Sequence, residues 1–161
     1  IVDPLAFHGT AAFRWIESAR CGNGYYVTVP LAVKLPKKLG RVECCVENAF
    51  RIEGGMLYVH RFMWFDGASG PAIDGVTNIL AALVHDCLYA AMTERPAGLS
   101  YAKADSLYRA ICIAQRAGSL RAWGHYLALR AFGWIWRMNT KNNHSAGPRW
   151  FGRRNRKRRL V

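Results

Sequence analysis

The sequence predicts an α+β fold: a small N-terminal antiparallel sheet, then three helices, then a basic C-terminal tail. Three observations predict it. Short β-branched and aromatic runs are confined to residues 25–65, helical apolar periodicity governs residues 76–138, and all of the net positive charge lies after Asp105. With 161 residues, 52% hydrophobic and 12% aromatic, the composition suits one globular domain over residues 1–138 and excludes an intrinsically disordered chain. Residues 139–161 are then a linker and an arginine-rich tail.

Taken in order, Cys21-Gly22-Asn23-Gly24 is a turn signal, and Tyr25 to Val29 is a strand stopped by Pro30. Lys34 to Gly40, with Pro36 and two lysines, is expected as a loop. Arg41–Glu47 and Phe50–Glu53 are further strand, and Gly54-Gly55 is a hairpin turn. Met56 to Phe65 alternates well enough to form one long strand with both faces partly apolar. Asp66 to Gly75 holds three further glycines, a proline and two aspartates, so it is a loop with unusual backbone geometry. A first helix over about Val76–Thr93 is capped by Asp74 or Thr77 and carries Ile79, Leu80, Leu83, Val84, Cys87 and Leu88 as its apolar stripe. Pro96 and Gly98 end it. Ser100 is the N-cap of a second helix to about Ala117, and Gly118 follows as its C-cap. The third helix, about Ser119–Met138, is rich in aromatics, of which Trp123 and Trp134 are expected in the core.

Five cysteines without a CxxC pair give neither a zinc-finger spacing nor a disulfide framework, and Cys87 and Cys112 fall at core positions. His8, His60, His125 and His144 are scattered and are assigned no role.

The chemistry concentrates at His85-Asp86-Cys87-Leu88-Tyr89 and at Asp105. His85 and Tyr89 are four residues apart and share a helix face, while Asp86 is turned by about 100°. Two antiparallel helices joined by the 94–99 loop bring Asp105 opposite His85 and Tyr89. A carboxylate on one ring nitrogen fixes the tautomer and leaves the other nitrogen to deprotonate a water. Tyr89 supports that carboxylate through its hydroxyl. Asp86, pointing elsewhere, is left to bind a hard cation beside the glycine-rich loop that starts at Asp66; calcium suits these oxygens. Zinc held by His85, Asp86, Asp105 and Asp66 is the poorer candidate, because adjacent His and Asp on a helix chelate one ion badly. The same residues also read as a buried polar network that sets how the helices pack, since buried polar groups must be paired.

The His-Asp-x-x-Tyr helix followed by a partner aspartate resembles the phospholipase A-two superfamily, above all its viral and bacterial branches. The resemblance implies His85 as general base, Asp105 as its partner, Tyr89 as support, and Asp86 as a calcium ligand. The Asp66–Pro71 segment stands in place of that family's usual ligand loop. A wider resemblance covers residues 56–138. Phe65-Asp66-Gly67-Ala68-Ser69-Gly70-Pro71, Val84–Tyr89, Ala104-Asp105 and Arg121–Arg130 are similar to a phage and prophage family known only as a domain of unknown function. That likeness implies a phage protein in the bacterial host cytoplasm or in the phage particle, with other virion subunits as partners.

Residues 1–105 carry ten basic and ten acidic side chains, whereas residues 106–161 carry thirteen basic ones and no carboxylate, giving the net charge of +13. Such asymmetry points to a polyanionic partner, an anionic phospholipid surface or nucleic acid. Arg149, Arg153, Arg154, Arg156, Lys157, Arg158 and Arg159, interleaved with Trp150 and Phe151, are the candidate contacts. No helix-turn-helix or RNA-binding signature is present, which argues against sequence-specific reading of DNA. No apolar run reaches the ~18–20 residues of a transmembrane helix, and no signal peptide is visible from Ile1 onward.

Overall fold

A computed structural model of the chain describes residues 1, 3, 20–21, 24–65, 67, 77–92 and 98–142, with the backbone alone for 20–21, 24 and 132–142. The expected α+β order is present, but the strands divide between two antiparallel sheets. In the first, β1 (Arg20–Cys21), β2 (Gly24–Tyr26) and β7 (Trp64–Phe65) lie in the order β1-β2-β7. In the second, β3 (Leu31–Lys34), β4 (Cys44–Val46), β5 (Phe50–Glu53) and β6 (Met56–Val59) lie in the order β3-β6-β5-β4.

Period-two burial sets the register of the four-stranded sheet. Leu31 faces Val59, Val33 faces Leu57, and on the other side Phe50 and Ile52 face the same two residues. All six are buried, so a one-residue slip would turn this face to water. Gly54 and Gly55 close the β5–β6 hairpin with φ of 58° and 75°, a pair of positive angles that a two-residue turn of this type requires.

The expected single strand over Met56–Phe65 is broken in two. The chain leaves the larger sheet after Val59 and passes through Phe62 at φ 67°. It then joins β2, where Phe62 N–H donates to Val27 O and Val27 N–H to Met63 O. Leu57, Val59, Met63 and Phe65 are all buried on either side of the break, while Arg61 is exposed. The alternation is therefore a property of two short strands with matching parity. The loop expected over Lys34–Gly40 holds a single 3-10 turn, Lys37–Leu39, preceded by β3, which Pro30 and Pro36 obscured.

Helix α1 (Ile79–Ala91) begins at Asn78 rather than at Asp74 or Thr77, and the Asn78 side chain makes no capping bond. Eleven of its thirteen residues are buried, so the helix is enclosed rather than one-sided. It packs on β4 and on α2 (Tyr101–Ala114), and α2 packs on α3 (Ser119–Asn142). Ser100 caps α2 as expected, its Oγ accepting from Lys103 N–H at 3.3 Å. The second helix stops three residues short of Ala117 because Arg116 takes φ 63°, and Gly118 at 79° completes the reversal. The third runs past Met138 to Asn142.

Cys87 and Cys112 are core residues, as expected, whereas Trp123 is 47% exposed and is not. The Trp134 side chain lies outside the described residues. Among the described residues, no helix is long and apolar enough to cross a membrane.

Candidate active site

Enclosure of α1 buries His85, which is 7% exposed, and the 3.6-residue turn lays Tyr89 against it with ring centroids 4.0 Å apart. Asp105, one turn beyond the α2 N-terminus, is 1% exposed and faces them. Its Oδ1 lies 3.0 Å from His85 Nε2 and accepts from Tyr89 Oη at 2.7 Å. Arg130, from α3, donates through Nη1 to Oδ2 at 3.2 Å. The edge of Tyr108 meets the His85 ring at 5.6 Å, and Tyr101 meets Tyr89 in the same way at 4.9 Å.

The sequence thus brings His85, Tyr89 and Asp105 together in the expected way. Asp86 departs from expectation. Its Oδ1 lies 3.6 Å from His85 Nδ1, so the ring sits between two carboxylates rather than beside one. The helical offset of Asp86 sets its Cα–Cβ direction, but the side chain reaches back over the ring edge. With its side chain 21% exposed, Asp86 is more open than Asp105, at 1%.

Burial disfavours the imidazolium of His85, yet hydrogen bonding and charge from Asp105 and Asp86 outweigh it, and the pKa is raised above 6.5. For Asp105, burial favours the neutral acid. His85, Tyr89 and Arg130 together overcome that and hold the pKa below 3.8. Both directions describe the same state, a carboxylate paired with an imidazolium and a guanidinium. Asp86 reinforces the imidazolium from the Nδ1 side.

Asp105 is engaged by His85, Tyr89 and Arg130. Among the described residues, no group of three or more His, Cys, Asp or Glu side chains is placed to hold a metal ion. Asp66 lies outside the described residues; of the Asp66–Pro71 loop, Gly67 is described, buried and with φ 78°. Arg149, Arg153, Arg154, Arg156, Lys157, Arg158 and Arg159 also lie outside them. A cavity of about 240 Å³ between the 3-10 turn and α2 is lined by Leu39, Lys103 and Leu107 among others, and does not reach the His85 cluster.

Arg130 and Tyr108 join the site without having been expected there. For Arg130 a signal existed: with no carboxylate after Asp105, any ion pair made by α3 has to reach back to an earlier element. Tyr108 carried none, since an aromatic at a core position reads simply as core. No protein family, curated protein or solved structure matches the chain.

Proposed function

We propose that this chain is a phage-type hydrolase built on the His85–Asp105 dyad, acting on phospholipid esters at an anionic membrane surface. The observation that carries the reading is the double use of Asp105 Oδ1, which engages both His85 Nε2 and Tyr89 Oη. In the proposed mechanism Nε2, at 3.0 Å from Asp105, carries the proton of the neutral ring, and the lone pair of Nδ1 lies on the Asp86 side, where a water has to enter between Nδ1 and Asp86 Oδ1. In this reading, Nδ1 takes a proton from a water whose oxygen attacks the ester carbonyl carbon. Asp105 stabilises the resulting imidazolium, which returns the proton to the departing alkoxide oxygen as the C–O bond breaks. Asp86 and Asp66 would hold calcium; a bound calcium ion polarises an ester carbonyl and stabilises the oxyanion. The part-exposed Asp86 carboxylate is a hard donor suited to that ion. The likeness to phospholipase A-two proteins and to the phage family supports the same reading.

A second reading is favoured by Arg130. One buried carboxylate joins α1, α2 and α3, an arrangement that serves a non-enzymatic virion component of the tail, baseplate or head equally well. Its basic C-terminus would then bind nucleic acid or a neighbouring subunit. Either protein works in the bacterial host cytoplasm or in the phage particle.

Fatty-acid release from vesicles containing phosphatidylglycerol, with calcium or with a chelator, separates the two. Wild type is expected to release fatty acid, and His85→Gln to lower the rate at least about a hundredfold. No release by folded wild type with calcium would leave the virion reading, and release that survives His85→Gln would remove the dyad as the catalyst.

A further inference from the structure

A second surface, unrelated to the His85 cluster, lies at the closed end of the α2–α3 hairpin. Ile113 near the end of α2 is 44% exposed, and along α3 Leu120, Trp123 and Leu127 are 88%, 47% and 59% exposed. The three α3 residues are spaced by three and four, so they form one stripe, starting beside the Gly118 turn. Arg109 lies one turn before Ile113 on the same face of α2. Its guanidinium carbon sits 4.0 Å over the Trp123 ring and 5.2 Å from that of Tyr126. Among the described residues no carboxylate pairs with it, and its Nε is buried without a hydrogen-bond partner. Exposed Arg116 and Arg121 flank the turn.

We propose that this hairpin end is a docking face for an anionic phospholipid bilayer, with Leu120, Leu127 and Ile113 entering the acyl boundary and Trp123 and Arg109 lying among headgroup phosphates. Apolar projection combined with positive charge, here from Arg109 and the exposed Arg116, is what such an interface recognises. A second copy of the chain fits poorly, because stacking the stripe on itself would oppose Arg109 and Arg116 to their own counterparts, with no carboxylate anywhere on α3 to relieve them. Nucleic acid fits poorly too. Aliphatic side chains gain little from sugar and phosphate, and one face of Trp123 is already covered by Arg109.

This inference rests on the proposed function only for phospholipid as the partner, and its test excludes the ester chemistry. Full-length chain is sedimented with vesicles of ether-linked phosphatidylcholine, with and without ether-linked phosphatidylglycerol, neither of which can be hydrolysed at an ester. Wild type is expected to bind the phosphatidylglycerol vesicles. Leu120→Ser with Leu127→Ser, at exposed positions, is expected to keep the wild-type melting temperature and lose at least about tenfold in vesicle affinity, with binding to a DNA oligonucleotide unchanged. Failure of wild type to bind, undiminished binding by the double variant, or an equal loss on DNA would each overturn the proposal. Loss of ester hydrolysis with vesicle binding intact would instead count against the dyad alone.

Discussion

Asp105 keeps its charge at 1% exposure because three donors from the two neighbouring helices converge on two oxygens. The consequence is a defined dependence of stability on pH. The folded pKa of His85 is raised above 6.5, so its ionic contacts contribute fully below that pH and are lost as pH rises through the folded value. The folded pKa of Asp105 is lowered below 3.8, so its contribution is present above 3.8 and lost as pH falls through the folded value. The pair therefore supports the fold best between those two limits. Thermal melts above pH 6.5 are expected to show a declining midpoint in wild type and a flatter curve in His85→Gln, which itself costs about 2 kcal/mol at lower pH. Parallel curves for the two proteins would mean that the imidazolium is not held by these carboxylates. If His85 serves as a general base it must first be neutral, so the acid limb of any hydrolysis profile is expected to have its midpoint above 6.5 as well.

Among the elements, the α2–α3 turn combines a φ of 63° at Arg116 with one of 79° at Gly118, and a Cβ added at Gly118 would meet nothing within 4 Å. The cost of Gly118→Ala is therefore purely one of backbone conformation, and we expect a loss of about 1 kcal/mol in urea unfolding with an unchanged m-value. A neutral substitution would show that the turn relaxes. The contrast between what could and could not be foreseen runs along the same lines. Ser100 announced the start of α2 because a side-chain cap is a local interaction, and the i, i+4 spacing of His85 and Tyr89 placed both on one face because helix geometry is local as well. The split of Met56–Phe65 between two sheets was hidden, since it turns on a left-handed Phe62, a conformation that favours Gly or Asn and that only tertiary pairing with Val27 imposes. Asp86 shows the same limit on a smaller scale: periodicity gives the direction of Cβ, while the side-chain torsions that return Oδ1 to His85 Nδ1 depend on packing around them.

At the scale of the whole molecule, charge and fold are separated along the chain. All ten carboxylates lie at or before Asp105, and thirteen cations follow it. Among the described residues, Arg130 neutralises a buried acid and Arg109 stacks on an aromatic ring. Seven more lie in Arg149–Arg159, after the last described residue. A dense run of like charges acts through its long-range field, which is additive and screened by salt, so its role is measurable as a salt slope. Deletion of residues 149–161 is therefore expected to leave the melting temperature unchanged while weakening binding to any polyanion. For a single-stranded oligonucleotide, each phosphate that is no longer neutralised lowers the slope of log K against log salt by about 0.7, so removal of seven cations is expected to flatten it by up to about 5. A slope that survives the deletion would shift polyanion binding onto the cations of α2 and α3. In that case the hairpin end and the DNA-binding surface would be one and the same, and the Leu120→Ser, Leu127→Ser variant would already have shown it by losing both partners together.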